Sequence, residues 1–110
     1  KEVIFMSDGC MNAYADEVMA CGARGIISEP YTDYRAIARK HKDCFLAGEG
    51  DCRILLNNNP IEIKSMVKQM VETAKMTGGY VFCIGNHIPW NTPPPAVKLY
   101  LDLCVKMGYR

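Results

Sequence analysis

Short apolar runs alternate along the chain with longer stretches of helical periodicity. Glu2-Val3-Ile4-Phe5-Met6 reads as a buried strand and closes on the turn residues Ser7-Asp8-Gly9. From Asn12 to Cys21 the spacing of Tyr14, Ala15, Val18 and Met19 predicts a short helix, with Gly22 placed for a left-handed C-terminal cap. Gly25-Ile26-Ile27-Ser28 predicts a second strand, stopped by Glu29-Pro30 because proline cannot donate to a ladder. Asp33 caps a helix running to about His41. Cys44-Phe45-Leu46-Ala47 is the third strand, followed by the loop Gly48-Glu49-Gly50-Asp51 and a short turn from Arg53 to Leu56.

Asn59-Pro60 opens the longest predicted helix, with Asn59 as cap, Pro60 in the first helical position and Glu62 completing a capping-box-like pattern. Its apolar stripe is Ile63, Met66, Val67, Met70, Val71 and Ala74, and Gly78-Gly79 ends it. The Met66 and Met70 positions belong to this core stripe. Tyr80-Val81-Phe82-Cys83-Ile84 predicts the fourth strand, Gly85 to Asn91 a loop, and Thr92-Pro93 the start of a last helix through Val97, Leu101, Cys104 and Val105. Four βα units with continuously apolar strands imply an α/β fold whose parallel strands are covered by helices. A small open sheet and half of a closed barrel both satisfy this pattern.

Composition narrows the class. A chain of 110 residues, 49% hydrophobic with a net charge of +1, is globular and forms a single segment, 1–110. It has no global field to draw it to nucleic acid or to an acidic membrane surface. No apolar run approaches the roughly 20 residues that span a bilayer. Cys10, Cys21, Cys44, Cys52, Cys83 and Cys104 form no CxxC pair and sit mostly in apolar segments, so reduced thiols and a cytoplasmic location are expected. The opening at Lys1, directly into a strand, reads as a truncation.

Ligands of parallel α/β folds bind beyond the carboxyl ends of the strands. Those ends carry Asp8 and Cys10, then Glu29, then Glu49 and Asp51, then Asn86 and His87. Two chemistries suit such a set. Zinc takes three ligands from His, Cys, Asp or Glu and keeps an open position, and carboxylates beside a histidine transfer protons. The plain structural readings stand beside these. Glu29 and Asp51 cap loops or pair with Arg24 or Arg53, Asp8-Gly9 is turn chemistry, and Cys83 alternates with Val81 as a core residue. His41 is a solvated residue compensating a helix dipole.

In order along the chain, several pieces resemble the uroporphyrinogen decarboxylase superfamily, which includes corrinoid-dependent methyltransferases. They are Met6-Ser7-Asp8-Gly9, Gly22-Ala23-Arg24-Gly25-Ile26, Glu29-Pro30, Gly48-Glu49-Gly50-Asp51 and Pro60-Ile61-Glu62. The most specific pieces close the chain: Gly78-Gly79-Tyr80-Val81-Phe82, Gly85-Asn86, Ile88-Pro89 and Thr92-Pro93-Pro94 before Val97. The resemblance implies a (β/α)8 TIM barrel of which this chain is the C-terminal half, with the N-terminal half absent. The open edges would then be covered by that half or by a second copy, a homodimer closing the barrel.

The resemblance also implies roles. Asp8, Asn86 and His87 are the catalytic candidates, and Gly9, Cys10, Asn12 and Trp90 would border a small-molecule substrate. Trp90 is otherwise a helix-packing residue. The methyltransferases hold zinc at positions that correspond here to Met6, Asp8 and Asn86, so that ligand set is absent. Glu29, Glu49, Asp51, Cys83 and His87 are the replacement candidates. The decarboxylases carry a histidine at the position of Asn86, one residue before His87. The leading expectation is zinc-assisted methyl transfer to a corrinoid carried by a partner protein. The alternatives are cofactor-free decarboxylation of a tetrapyrrole, and a fragment or assembly module without activity of its own.

Overall fold

The computed structural model describes residues 1–109. The elements follow the order β1 (Ile4–Met6), α1 (Ala15–Ala20), β2 (Gly25–Ile27), α2 (Tyr34–Lys40), β3 (Phe45–Ala47), α3 (Cys52–Asn57), α4 (Pro60–Ala74), β4 (Gly79–Val81) and α5 (Pro94–Met107). The strands are shorter than their apolar runs. Beyond Val81 the fourth run keeps contact with its neighbour through a single parallel bridge, Gly50 to Ile84. The turn expected from Arg53 to Leu56 is a helix, α3, because Asp51 accepts a hydrogen bond from the Arg53 amide and supplies a cap. The last helix starts at Pro94, past Thr92-Pro93, because the residue before a proline is driven out of the helical region.

All four strands are parallel and lie in the order β1-β2-β3-β4. This order speaks against a doubly wound open sheet. Parallel crossovers are right-handed, so an order without reversal puts every helix on the same face of the sheet. A doubly wound open sheet reverses its order and covers both faces. Side-chain burial agrees with the one-sided arrangement. Ile26 and Leu46 point into the helical layer and are fully buried. On the other face Met6 is 72% and Val81 47% exposed, and Ile27 and Phe45 are half-buried. The chain therefore has an α/β fold consistent with part of a (β/α)8 barrel.

The core lies between sheet and helices in two clusters, one around Ile26, Tyr34, Ile37 and Leu46 and one around Leu55, Ile63, Val67, Met70 and Tyr100. The α4 stripe is as the periodicity predicts at Ile63, Met66, Val67, Met70 and Ala74. Val71 is only half-buried, and Thr73 is buried in its place. Asn59 caps α4 by accepting from the Ile61 and Glu62 amides at 3.0 and 3.4 Å. Asn59→Ala leaves those donors to water and is expected to lower stability by about 1 kcal/mol. Urea unfolding should show a lower midpoint at unchanged slope, and an unchanged midpoint would mean the cap contributes nothing.

Two sequence expectations need correction. His41 is not a solvated dipole partner: its Nε2 lies 2.9 Å from Asp16 Oδ1, and Lys40 shares that carboxylate, which ties the end of α2 to α1. Trp90 does not pack on a helix; it is 97% exposed. No helix among the described residues is long and apolar enough to cross a membrane.

Candidate functional site

The carboxyl ends of the strands are bound to one another mainly through side chains. β1 ends in a loop that turns at Gly9, where φ is +80°. The Gly9 amide donates to Glu29 Oε2 at 2.6 Å, and the Gly9 carbonyl accepts from Ser28 Oγ at 2.8 Å. Glu29 follows β2, so these bonds join the first two strand ends. Its second oxygen, Oε1, accepts from the Asn86 side-chain amide at 2.7 Å. Asn86 belongs to the loop after β4, and its own Oδ1 accepts from the His87 amide at 2.7 Å. One carboxylate thus connects three loops that are distant in sequence. The Asn86 amide, and after it the Gly9 N–H, hold the Glu29 carboxyl below the usual carboxylate range. Glu29 is an ionised acceptor at neutral pH.

Further bonds tie the β1 loop to the β2 loop. The Met11 amide donates to Thr32 Oγ1 at 2.9 Å, the Asp33 amide to Asn12 Oδ1 at 2.7 Å, and Cys10 Sγ to the Tyr31 carbonyl at 3.4 Å. Beneath them Tyr34, fully buried, sends its hydroxyl between the Ser28 and Ala47 carbonyls at 2.6 and 2.9 Å and accepts from the Ser28 amide at 3.0 Å. Burial pushes the phenol well above its usual value, against the pull of the Ser28 amide. Ser28, Thr32 and Tyr34 organise the site, and the sequence reading missed all three.

The candidate residues divide. Asp8, Gly9, Cys10, Asn12, Glu29, Asn86 and His87 belong to the strand-end loops. Asp51 is engaged elsewhere: it caps α3 and holds Arg53 through contacts of 2.6 to 3.1 Å, and that guanidinium pulls its carboxyl down. Arg53 also stacks over Tyr31, 4.9 Å from the ring centroid. Glu49 turns away from the strand ends into the helical layer, where it accepts from Thr73 Oγ1 at 2.8 Å and Tyr80 Oη at 2.5 Å. Burial raises its carboxyl above the ordinary value, against the pull of those two donors. Cys83 is half-buried and its thiol is pushed up by burial.

The five residues offered as a zinc set, Glu29, Glu49, Asp51, Cys83 and His87, therefore do not surround one point. Among the described residues no three His, Cys, Asp or Glu side chains stand together closely enough to hold a metal ion. The donor set of this chain does not fit a three-ligand zinc centre. What the strand-end loops hold is an anchored carboxylate at Glu29, bonded to Gly9 and Asn86, with Asp8 exposed in the loop after β1 and Trp90 in the loop after β4.

A family model described as uroporphyrinogen decarboxylase (URO-D) matches residues 1–107. No curated protein matches the sequence.

Proposed function

The chain belongs to the uroporphyrinogen decarboxylase family, whose fold is the (β/α)8 barrel, and from that premise we propose that it serves a methyltransferase of this family, holding a methyl donor at the strand ends for a corrinoid-bearing partner protein. The observation that carries this reading is the sign of the rim. Glu29 is kept ionised by Gly9 and Asn86, Arg53 is committed to Asp51, and Arg35 lies in a cleft with three carboxylates, Asp33, Glu49 and Asp51. A tetrapyrrole bearing several carboxylates would bring like charge to such a rim, and the approach of like charges in a partly desolvated cleft is unfavourable. A neutral or cationic methyl donor meets no such penalty.

The same rim narrows the donor. Because the zinc candidates do not converge, no step is assigned to a metal, and an ionised carboxylate offers no proton to a departing alkoxide. A donor whose leaving group departs neutral, such as a quaternary ammonium, asks neither a proton nor a Lewis acid of this chain. Glu29 and Asp8 would stabilise its charge, and Trp90 offers a flat face for it.

The test pairs two assays of the protein. One supplies quaternary ammonium and methyl ether donors with reduced cobalamin and follows the corrinoid spectrum. The other supplies uroporphyrinogen and follows carboxyl loss by mass spectrometry. Corrinoid methylation from the ammonium donor is expected, with Glu29→Gln weakening that donor by about tenfold. The variant keeps the Gly9 tie through the Gln carbonyl but gives up one bond at Asn86, because an Asn86 turned to accept from the Gln amide loses its bond from the His87 amide. Carboxyl loss without corrinoid methylation would replace this reading by the decarboxylase one, and silence in both assays would favour the assembly module.

A further inference from the structure

We propose that residues 86–91, in the loop after β4, form a lid that closes Trp90 over a cation held at Glu29, with the bond from Asn86 to Glu29 as its latch. The inference rests on the reading of Glu29 as the seat of a cationic donor. Both ends of the loop are fixed. At one end the Gly85 amide donates to the Gly50 carbonyl at 2.9 Å. A Cβ at Gly85 would run into the Gly48 carbonyl and lie 2.9 Å from Glu29 Cα, so the chain leaves β4 packed tightly on the ends of β2 and β3. At the other end Thr92 is buried just before α5. Between these anchors Asn86, His87, Ile88, Trp90 and Asn91 are exposed. Among the described residues, their tie to the other strand-end loops is one hydrogen bond, from Asn86 Nδ2 to Glu29 Oε1 at 2.7 Å. Two further bonds stay within the loop: the His87 amide to Asn86 Oδ1, and the Thr92 amide to the Pro89 carbonyl. The second closes a turn that carries Trp90 at its tip.

Two features mark this as the open arrangement. A tryptophan side chain presents on the order of 150–250 Å² of largely apolar surface, yet Trp90 stands 97% exposed. Thr92 is the opposite case. It is 8% exposed, and among the described residues its buried hydroxyl meets no hydrogen-bond partner. A buried hydroxyl without a partner is unfavourable. The loop as it stands leaves an aromatic ring in water and an unpaired hydroxyl at its pivot, and a swing of the turn relieves both.

Reach and trigger follow from the latch. Trp90 lies four residues beyond Asn86, a span of at most about 14 Å, and Asn86 already touches Glu29. A quaternary ammonium against Glu29 Oε1 takes the place of the Asn86 amide and frees the loop. The indole face then covers the cation from the side opposite the carboxylate and shuts out water, which strengthens the attraction between the two charges. An uncharged molecule of the same shape offers the carboxylate nothing to exchange for the Asn86 bond, and leaves the lid open.

Trp90 is the one tryptophan of the sequence, so its fluorescence follows the lid directly. Choline serves as the cationic probe and dimethylbutanol as its uncharged isostere, with binding measured separately by calorimetry. Choline is expected to shift the emission to the blue and to cut quenching by acrylamide severalfold, and the isostere to do neither. Trp90→Ala should weaken choline by about tenfold. Thr92→Val takes the unpaired hydroxyl out of the open state. It should weaken choline severalfold while the thermal midpoint of the free protein holds or rises, a pair of effects that simple damage to the fold does not produce. Choline bound in calorimetry with emission and quenching unchanged would overturn the lid and leave the cation site standing. No choline binding at all would remove the cation site and the lid with it. An equal blue shift with the isostere would overturn the latch, and wild-type affinity in Trp90→Ala would overturn the closure.

Discussion

Replacing Gly48 with alanine is expected to lower stability by about 3 kcal/mol or more and to loosen the strand-end loops together with the fold. Gly48 follows β3 with φ at +100°, where an L side chain is strained whatever the space around it. Here there is no space. An added Cβ would lie 1.9 Å from the Ser28 carbonyl oxygen and 2.8 Å from the Tyr34 hydroxyl. Those two atoms are bonded to each other, and the same hydroxyl also reaches Ala47. Relief of the clash therefore has to part β2 from β3 at their carboxyl ends, and Ser28 carries with it the bond to Gly9. Thermal unfolding should show the midpoint falling by more than about 12 °C in a chain of this size. Gly9→Ala is the control. Its φ is +80° but nothing lies within 4 Å of the added carbon, so only backbone strain of about 1 kcal/mol applies. Equal losses in the two variants would mean that the close approach at Gly48 is not what fixes the strand ends.

That dependence on close approach explains what could be read from the sequence and what could not. Strand positions and α4 were legible because burial leaves a pattern: continuous apolar runs for the strands, and the spacing of Ile63, Met66, Val67 and Met70 with Asn59-Pro60 as start signal. The strand order was not, since open and closed sheets draw on the same runs, and only the family resemblance separated them. At the site, the polar strand ends were legible as a set. Their directions were not. Side chains alternate along a strand only while the backbone stays extended, and the left-handed Gly48 reverses the chain just before Glu49, which sends that carboxylate among the helices. The bonds from Glu29 to Gly9 and Asn86, and from Thr32 to Met11, span about twenty residues or more. No local spacing announces a contact of that kind, so Ser28, Thr32 and Tyr34 looked like ordinary strand, loop and helix residues.

The inward Glu49 carries the second large prediction, and its sign depends on the replacement. Glu49→Leu removes the acceptor of the half-buried Tyr80 hydroxyl, while Thr73 keeps its bond to the Gln69 carbonyl. One orphaned buried donor costs about 1–3 kcal/mol, and that loss is expected at neutral pH. Glu49→Gln should behave oppositely. Its carbonyl accepts from Tyr80, and its amide donates to Thr73, whose hydroxyl proton turns fully to Gln69, so no group is stranded. The pH dependence separates this account from one in which Glu49 simply stabilises as an anion. Burial raises the folded carboxyl above its ordinary value near 4.5. Below that value both states hold the proton and the group contributes nothing. As pH climbs towards the folded value the unfolded chain releases its proton first, the native state binds more protons, and stability falls. Above the folded value the deficit is constant. Urea midpoints of wild type and Glu49→Gln, measured from acid to neutral pH, should therefore diverge upward from about pH 4.5 in favour of the variant and then run parallel. Curves that converge over that window would mean that the hydrogen bonds from Tyr80 and Thr73 outweigh desolvation and that Glu49 is held as a stabilising carboxylate.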